Sequence, residues 1–418
     1  MRSNLSFLQN HAAPKKRWFI AAIWVICLLY VLFQGGKTSI MLFSMMNILV
    51  VYLFISGIYG VRRARGTRTF SANEEQMKML HAGEQIHVKL SVHIPGFLPL
   101  PYVIIRETLK RHNGDAWVFE DSLIPSFRGN GLLDYHTPSL ERGRYHFTEA
   151  ECVTEDIFGL TEHRGKINVQ GEFTVLPRSV FIPYWQLHAK NSQLSGPESV
   201  VTRSRRETTQ INGVRDYVYG DRISRIHWSA TAKTGTWKSK QFEHESTPRT
   251  ILVLDASSAH YVSPSQFELA VSTTASLIDY AIRERMNIGL CALGNKRTFF
   301  PPTEHLADQK RMLHFLVDID ADGYGKLADR LEESANVFPS SSYIVLISPL
   351  ANEQIMSVMR WAGKRQLSPS HIHIQSSIAS PNSVKWQTYL LSHGIRSYKV
   401  ASLEELPSAM AMGGVHYG

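Results

Sequence analysis

Cysteine is scarce. The 418-residue chain has three, Cys27, Cys152 and Cys291, far apart and with no CxxC spacing. That argues against a disulfide framework and against a thiolate zinc site, and it suits a reducing compartment. The glycine-rich signatures are missing too: there is no GxGxxG, no Walker loop and no GxSxG. Dinucleotide binding of the Rossmann type, a P-loop nucleotide site and a nucleophile elbow therefore have no sequence support. If ATP is involved, a partner supplies it. Acidic residues are absent from the first 68 positions.

That last absence explains the net charge of +9. Nine of the 45 basic residues lie in 1–68: Arg2, Lys15, Lys16, Arg17, Lys37, Arg62, Arg63, Arg65 and Arg68. The remaining 36 face 36 acidic residues, so the rest of the chain is neutral overall. A nucleic-acid partner, which a basic protein first suggests, is not expected.

Two apolar runs fill the acid-free segment. WFIAAIWVICLLYVLF covers Trp18–Phe33 and IMLFSMMNILVVYLFISGIYGV covers Ile40–Val61. A bilayer core takes roughly 20 apolar residues per helix; the second run meets this, and the first is slightly short with Trp18 as an interfacial anchor. Only QGGKTS separates them, so the pattern predicts a transmembrane hairpin over 1–68. KKR before the first run and RRARGTR after the second place both flanks in the cytoplasm by the positive-inside rule. The expectation is a multi-pass protein of the cell membrane, with two spans in the lipid bilayer and its N-terminus and soluble part cytoplasmic. A cleaved signal peptide is the alternative, but no convincing small-x-small site precedes the second run.

Residues 69–189 read as β-rich. EQIHVKLSVHI and GRYHFTEAECV alternate with period two, PYVIIRETL is β-branched, and IPGFLPLP, RHNGD, ERGR and DIFGL punctuate. This predicts a β-sandwich-like, immunoglobulin-like domain. A polar linker follows at 190–212. From 213 to 418 strands such as RTILVLDAS, NIGLCALG, SYIVLISPL and HIHIQSS alternate with helices such as SPSQFELAVSTTASLIDYAIRERM, which predicts an α/β domain around a parallel sheet.

GVRDYVYGDRISRIHWSATAKTG, residues 213–235, opens that domain. As architecture, Gly220-Asp221 turns the chain and Asp221 caps a helix through RISRIHWSATAK. Ile223, Ile226 or His227, and Ala230 then point inward, with Trp228 as a packing anchor. As a site, residues 201–240 hold nine Lys or Arg against three acids. Arginines beside Tyr217, Tyr219 and Trp228 suit recognition of carboxylates or phosphates within a protein interface. Anionic-surface binding through 201–240 is a further alternative.

The same stretch resembles the signature of the bacterial domain-of-unknown-function-58 family. Arg215, Tyr217, Gly220, Asp221, Arg225, Ile226, Trp228, Ala232, Lys233 and Glu243 occupy its places. Upstream, RGRYHFTEAECVTEDIFGL resembles the family's Arg-Gly-x-Tyr and Asp-Pro-Phe-Gly-Leu stretch, with Ile157 where proline is usual. The resemblance implies a C-terminal von Willebrand factor A-like α/β domain and a MoxR-type AAA+ ATPase as partner. It also implies a transglutaminase-like membrane protein nearby and a role in assembling or maturing other complexes. It implies no catalytic activity. Arg215, Tyr217, Gly220, Asp221, Arg225, Trp228 and Lys233 are then the expected interaction motif.

A von Willebrand A domain often holds Mg²⁺ on an Asp-x-Ser-x-Ser loop, with oxygen ligands that suit a hard cation. Here Asp255 and Ser257 match, but Ala259 replaces the second serine and Ser348-Pro349 stands where an aspartate would follow a later strand. No tight metal site and no cofactor are expected, with Asp255 kept to order its loop. His371 and His373 read as a sheet-edge or surface pair, and Cys291 as a core thiol. The expected function is a membrane-anchored adaptor acting with an AAA+ ATPase on a membrane or envelope complex. The alternative is a hydrolase on the α/β sheet, for which no catalytic residue can be named.

Overall fold

The computed structural model describes residues 13–58, 60–71, 80–96, 100–126, 128–185, 211–219, 223–242, 249–376 and 381–411. The linker positions 190–210, Gly220 and Asp221 lie outside them. The chain divides into two compact units, Met1–Leu176 and Pro177–Gly418.

The first unit begins with α1 (Ala13–Gln34) and α2 (Lys37–Ile58). The Trp24 indole donates to the Asn47 side-chain oxygen at 3.2 Å, which ties the two helices side by side. The window Lys37–Ile55, 19 residues, is long and apolar enough to cross a membrane; the apolar part of α1, Trp18–Gln34, is shorter. Their apolar side chains are exposed along both helices, Phe33, Ile48 and Phe54 among them. Of the two spans expected from sequence, the first slightly short, only the second helix meets the length among the described residues.

A 3-10 turn, Val61–Arg63, carries the chain into β1 (Arg65–Phe70). Val61 is buried, and a side chain on Gly165 would meet its carbonyl oxygen at 1.8 Å. Only glycine permits that approach, so the exit of α2 lies directly against the β-rich body. There, β1, β3 (His87–His93) and β6 (Asn130–His136) make one antiparallel sheet. The other runs in the order β2 (Leu80–His81), β10 (Glu172–Leu176), β7 (Gly143–Phe147), β4 (Val103–Arg111), β8 (Ala150–Glu155), β9 (Glu162–Ile167), with β5 (Ala116–Leu123) also paired to β4. Alternate residues of each strand turn inward. Leu90, Val92 and Leu133 of the first sheet meet Val103, Ile105, Cys152 and Ile167 of the second in one core cluster. The inward row of β4 is Val103, Ile105, Glu107, Leu109 and Arg111, so a carboxylate interrupts an apolar face.

In the second unit, β11 (Ile211–Asp216) and β12 (Lys238–Phe242) form a two-stranded antiparallel ribbon. The main sheet contains β13 (Arg249–Asp255), β14 (Asn287–Leu293), β15 (Arg297–Thr303), β16 (Tyr343–Ser348), β17 (Ser368–Ile374) and β18 (Arg396–Val400). Its order is β15-β14-β13-β16-β17-β18, parallel except for the edge strand β15. Every residue of β16 is buried, the signature of a strand covered on both faces. One face packs α4 (Pro264–Glu284) and α5 (Leu306–Asp318) against Leu252, Leu254, Val345 and Ile372. The other packs α6 (Leu327–Glu332) and α7 (Glu353–Lys364) against Ile251, Val253, Ile344 and Leu346.

Two boundaries differ from the sequence expectation. The β-rich domain was expected to run to 189, but Ile182 and Trp185 are buried in the core of the second unit. Val180 donates its N–H to Ser276 on α4 at 3.1 Å, and Arg283 donates to the Ile182 carbonyl at 2.7 Å. The apolar alternation of this segment belongs to α4, which a strand-only pattern does not reveal. Likewise β11 starts at Ile211, inside the expected linker.

Candidate functional site

The signature stretch folds differently from the single Asp221-capped helix expected of it. A 3-10 turn, Ile223–Arg225, precedes a short helix α3 (Trp228–Thr234), and the cap of α3 is His227, whose Nδ1 accepts from the Ala230 N–H at 3.1 Å. The His227 N–H donates to the Lys238 carbonyl at 2.8 Å, and Ile226, fully buried, bridges to Ser239 on β12. Helix and ribbon are thereby locked together. Ile226 is the inward residue of this stretch; Ile223 and Trp228, expected inside, are 70% and 62% exposed. Trp228 therefore does not act as a packing anchor.

What it joins instead is a surface aromatic group. Trp237 lies between Tyr217, at a ring distance of 5.6 Å, and Trp228, at 6.3 Å. The Tyr217 N–H donates to the Trp237 carbonyl at 2.9 Å. Val218, Tyr219 and Trp237 are exposed beside them. Lys238 pairs with Asp216 at 2.5 Å, Arg215 donates to the Asp216 carbonyl at 3.1 Å, and Lys233 lies exposed in the last turn of α3. Of the expected motif, the structure brings Arg215, Tyr217, Trp228 and Lys233 onto this one ribbon-and-helix element. Arg225 lies in the 3-10 turn, while Gly220 and Asp221 are outside the described residues. Trp237 was not singled out from sequence, although it stands two residues past Gly235 in the same run.

The second candidate is the carboxyl end of the main sheet, where ligands of open α/β folds commonly bind. Asp255 ends β13 and is completely buried. Its carboxylate accepts from the Ser257 N–H at 3.0 Å and the Ser348 hydroxyl at 2.8 Å, and pairs with His260 Nδ1 at 2.8 Å. The Tyr261 hydroxyl donates to the Asp255 carbonyl. Burial, with the nearby Asp255 charge, raises the Tyr261 pKa well above its ordinary value and keeps it a donor. Asp255 and Ser257 are thus adjacent, as the loop pattern implied, but the residue that covers the carboxylate is His260, which sequence reasoning passed over in LDASSAH. A Mg²⁺ ion fits this donor set poorly. It would have to displace an imidazole, and Ala259 and Ser348 bring no carboxylate in its support. Among the described residues no group of three His, Cys, Asp or Glu side chains is placed to hold a metal.

His371 and His373 sit on β17, one strand in from the sheet edge, with His371 buried and His373 partly buried. The surface or edge position expected for them is incorrect: His371 is 1% exposed. With Lys399, Asn352 and Gln387 they line a small cavity beside Trp386 and Leu390. Burial lowers the His373 pKa to about 4, with the Lys399 charge adding to it. His371 is held well below its ordinary value too, by burial and then by His373. Both rings are neutral at physiological pH. Cys291 is fully buried and its thiol is pushed up to about 12 by burial, as suits a core thiol.

Solved structures are similar to parts of the chain. The chain is similar to proximal thread matrix protein 1 of the mussel byssus, at 12% identity and a TM-score of 0.29, over 40% of this chain and 46% of that one, less than half its length. Against a putative late embryogenesis abundant protein the figures are 14% identity, a TM-score of 0.20, and 39% and 87% coverage. Neither supports an argument about fold or role. Among curated proteins it is similar to the uncharacterized protein YeaD of Bacillus subtilis (strain 168), 25% identical over 293 residues, 69% of this chain and 70% of that protein. The stretch that carries both candidate sites, residues 213–372, matches the family described as Protein of unknown function DUF58.

Proposed function

We propose that this protein is a membrane-anchored adaptor whose second unit docks a protein partner through the aromatic surface of the ribbon and α3. The observation that carries this is the exposure of Trp228, Trp237 and Tyr219 on an element held rigid by Ile226 and His227. Aromatic side chains left on the surface beside Arg and Lys match the composition of interface hot spots. Tyr and Trp offer large contact area with little entropy to lose on binding. The partner we favour is a MoxR-type AAA+ ATPase, as the resemblance of residues 213–235 implies, acting on a membrane or envelope complex. Anchorage is by α2, with α1 completing a two-span hairpin and the soluble part on the cytoplasmic side.

The Asp255 group supports a structural role more than a hydrolytic one. The Ser348 hydroxyl donates to the Asp255 carboxylate, not to an imidazole base, so no base-activated nucleophile is assembled there.

The test is affinity purification of the full-length protein from gently solubilised native membranes, beside Trp228→Ala and Trp237→Ala variants with unchanged thermal unfolding. Capture of an AAA+ ATPase by the parent protein and its loss in both variants is expected. Equal capture by all three would remove the aromatic surface from the reading, and no ATPase with any of them would remove the partner.

A further inference from the structure

We propose that the β8–β9 turn, residues 156–161, together with Ile124, forms a membrane-interface foot that inserts apolar side chains into the lipid headgroup region beside α2. The proposal rests on the reading of α2 as a membrane span.

Depth is the first argument. The Ile157 N–H donates to the Tyr52 hydroxyl at 3.3 Å, and the Phe158 ring meets the Tyr52 ring edge-on at 5.8 Å. Tyr52 lies three residues inside the end of the apolar window at Ile55. At 1.5 Å per residue that is about 4.5 Å on the hydrocarbon side of the boundary. A turn that touches Tyr52 sits at the level where apolar side chains meet headgroups and upper acyl chains.

Exposure is the second. Ile157 and Phe158 remain 56% and 61% exposed despite those contacts, and Ile124 is 80% exposed. Register places them at one end of the β-rich body. Leu123 pairs with Val103, and Val153, two residues before the end of β8, pairs with Ile104, so the chain leaves both strands past the same end of β4. The exit of α2 is at this end as well, because Arg65, the first residue of β1, pairs with His93, and His93 with Asn130, which follows the turn after Ile124. Arg62 and Arg63 are exposed there and suit anionic headgroups.

The turn is built to hold its tip. The Asp156 carboxylate accepts from the N–H groups of Phe158 at 2.8 Å and Leu160 at 3.3 Å, and from the Thr161 hydroxyl at 2.6 Å. Burial pushes this carboxyl up, but those bonds outweigh it and hold the pKa below its ordinary value. Gly159 adopts φ 63°, a left-handed conformation that glycine accepts without strain. Ile157 and Phe158 are therefore presented on a fixed turn with their side chains outward, the arrangement a wedge needs and a solvent-facing turn has no use for.

The occupant is lipid, and the experiment reads depth. The full chain, with Cys27→Ser to leave only the two buried native cysteines, is spin-labelled at Ile157→Cys, Phe158→Cys or Ile124→Cys and placed in bilayer nanodiscs containing anionic lipid. Phe54→Cys on α2 serves as the lipid reference and Val118→Cys on β5 as the aqueous reference. Collision with oxygen and with a water-soluble nickel chelate is measured at each. The expected result is loss of nickel accessibility and gain of oxygen accessibility at 157 and 158 relative to 118, with 124 shallower. Labels at 157 and 158 that match 118, while 54 reads as lipid, overturn the foot and leave the span intact. Labels shielded from both reagents indicate a protein cover and also overturn it. If 54 itself reads as aqueous, the span fails and the proposal with it. Two neighbouring label sites guard against a local disturbance at Phe158.

Discussion

Among the described residues, each unit buries one carboxylate completely, and the two are handled in opposite ways. Glu107, midway along β4, faces the interior of the β-rich body and meets a guanidinium: Arg68 Nε donates to it at 3.0 Å, and the Tyr135 hydroxyl donates at 2.5 Å. Arg68 is itself buried, donates to the Val169 carbonyl at 2.9 Å and lies 3.9 Å from the Phe147 ring centroid. Asp255 ends its strand at the rim of the parallel sheet, where a backbone N–H, a hydroxyl and an imidazole converge on it. The first is a charge pair in a sandwich interior, where neither member has anywhere else to go. The second is a loop organiser in a position where folds of this kind place ligands. Burial alone does not separate a structural carboxylate from a functional one; its place in the topology does.

The largest expected effect tests the first half of that contrast. Glu107→Ala leaves the Arg68 charge buried without its counter-ion, which costs about 3–5 kcal/mol. Thermal unfolding should show a transition of the β-rich unit displaced strongly downward, with the second unit little changed. Glu107→Ala together with Arg68→Met, which removes both charges, should recover much of the loss. If the double change is no better than the single one, the pair is not the reason Glu107 is buried.

Asp255→Ala is expected to cost less, about 1–3 kcal/mol, because it strands a backbone N–H, a hydroxyl and an imidazole rather than a buried guanidinium. The readout is the unfolding of the second unit, with hydrogen exchange increased over residues 256–262. A loss equal to that of Glu107→Ala would erase the distinction drawn between interior and rim.

Much of the fold is legible in the residues, and the reasons for the rest are physical. YIVLIS predicts a doubly covered strand, and all six of its residues are buried. PYVIIRETL even has the period that turns Glu107 inward, but Arg68, its partner, is 39 residues earlier and no local pattern joins them. His260 was in view beside Asp255, yet a histidine in a polar loop carries no periodic signal. Trp228 was misplaced because helical spacing assumed one helix from Asp221. A 3-10 turn and a bridge at Ile226 break that helix and rotate the indole outward. Patterning within an element was readable; contacts made between elements were not.

A pH titration sharpens the rim further. His371 and His373 are held neutral by burial, His373 at about 4. An unfolded histidine takes up its proton near pH 6.5. As pH falls from there toward 4, the unfolded chain binds protons that the fold cannot, so the second unit loses stability over that window. His373→Leu should flatten the slope, measured as unfolding midpoint against pH. An unaltered slope would place the proton uptake on other groups.

The smallest effect is expected where the function is proposed. Trp228→Ala and Trp237→Ala remove large apolar side chains, changes that in a core cost several kcal/mol. Trp185, 3% exposed against α4, is such a core residue; Trp228 is 62% exposed and contacts a second exposed indole. Their truncation returns little surface to water and opens no cavity, so each should shift stability by no more than about 0.5 kcal/mol. The comparison is made on one unfolding curve of the second unit, with Trp185→Ala as the destabilised reference. A tryptophan costly to remove at the surface would be part of the scaffold. One that costs nothing there has to be explained by what binds it, and the two indoles are the residues to which that argument applies.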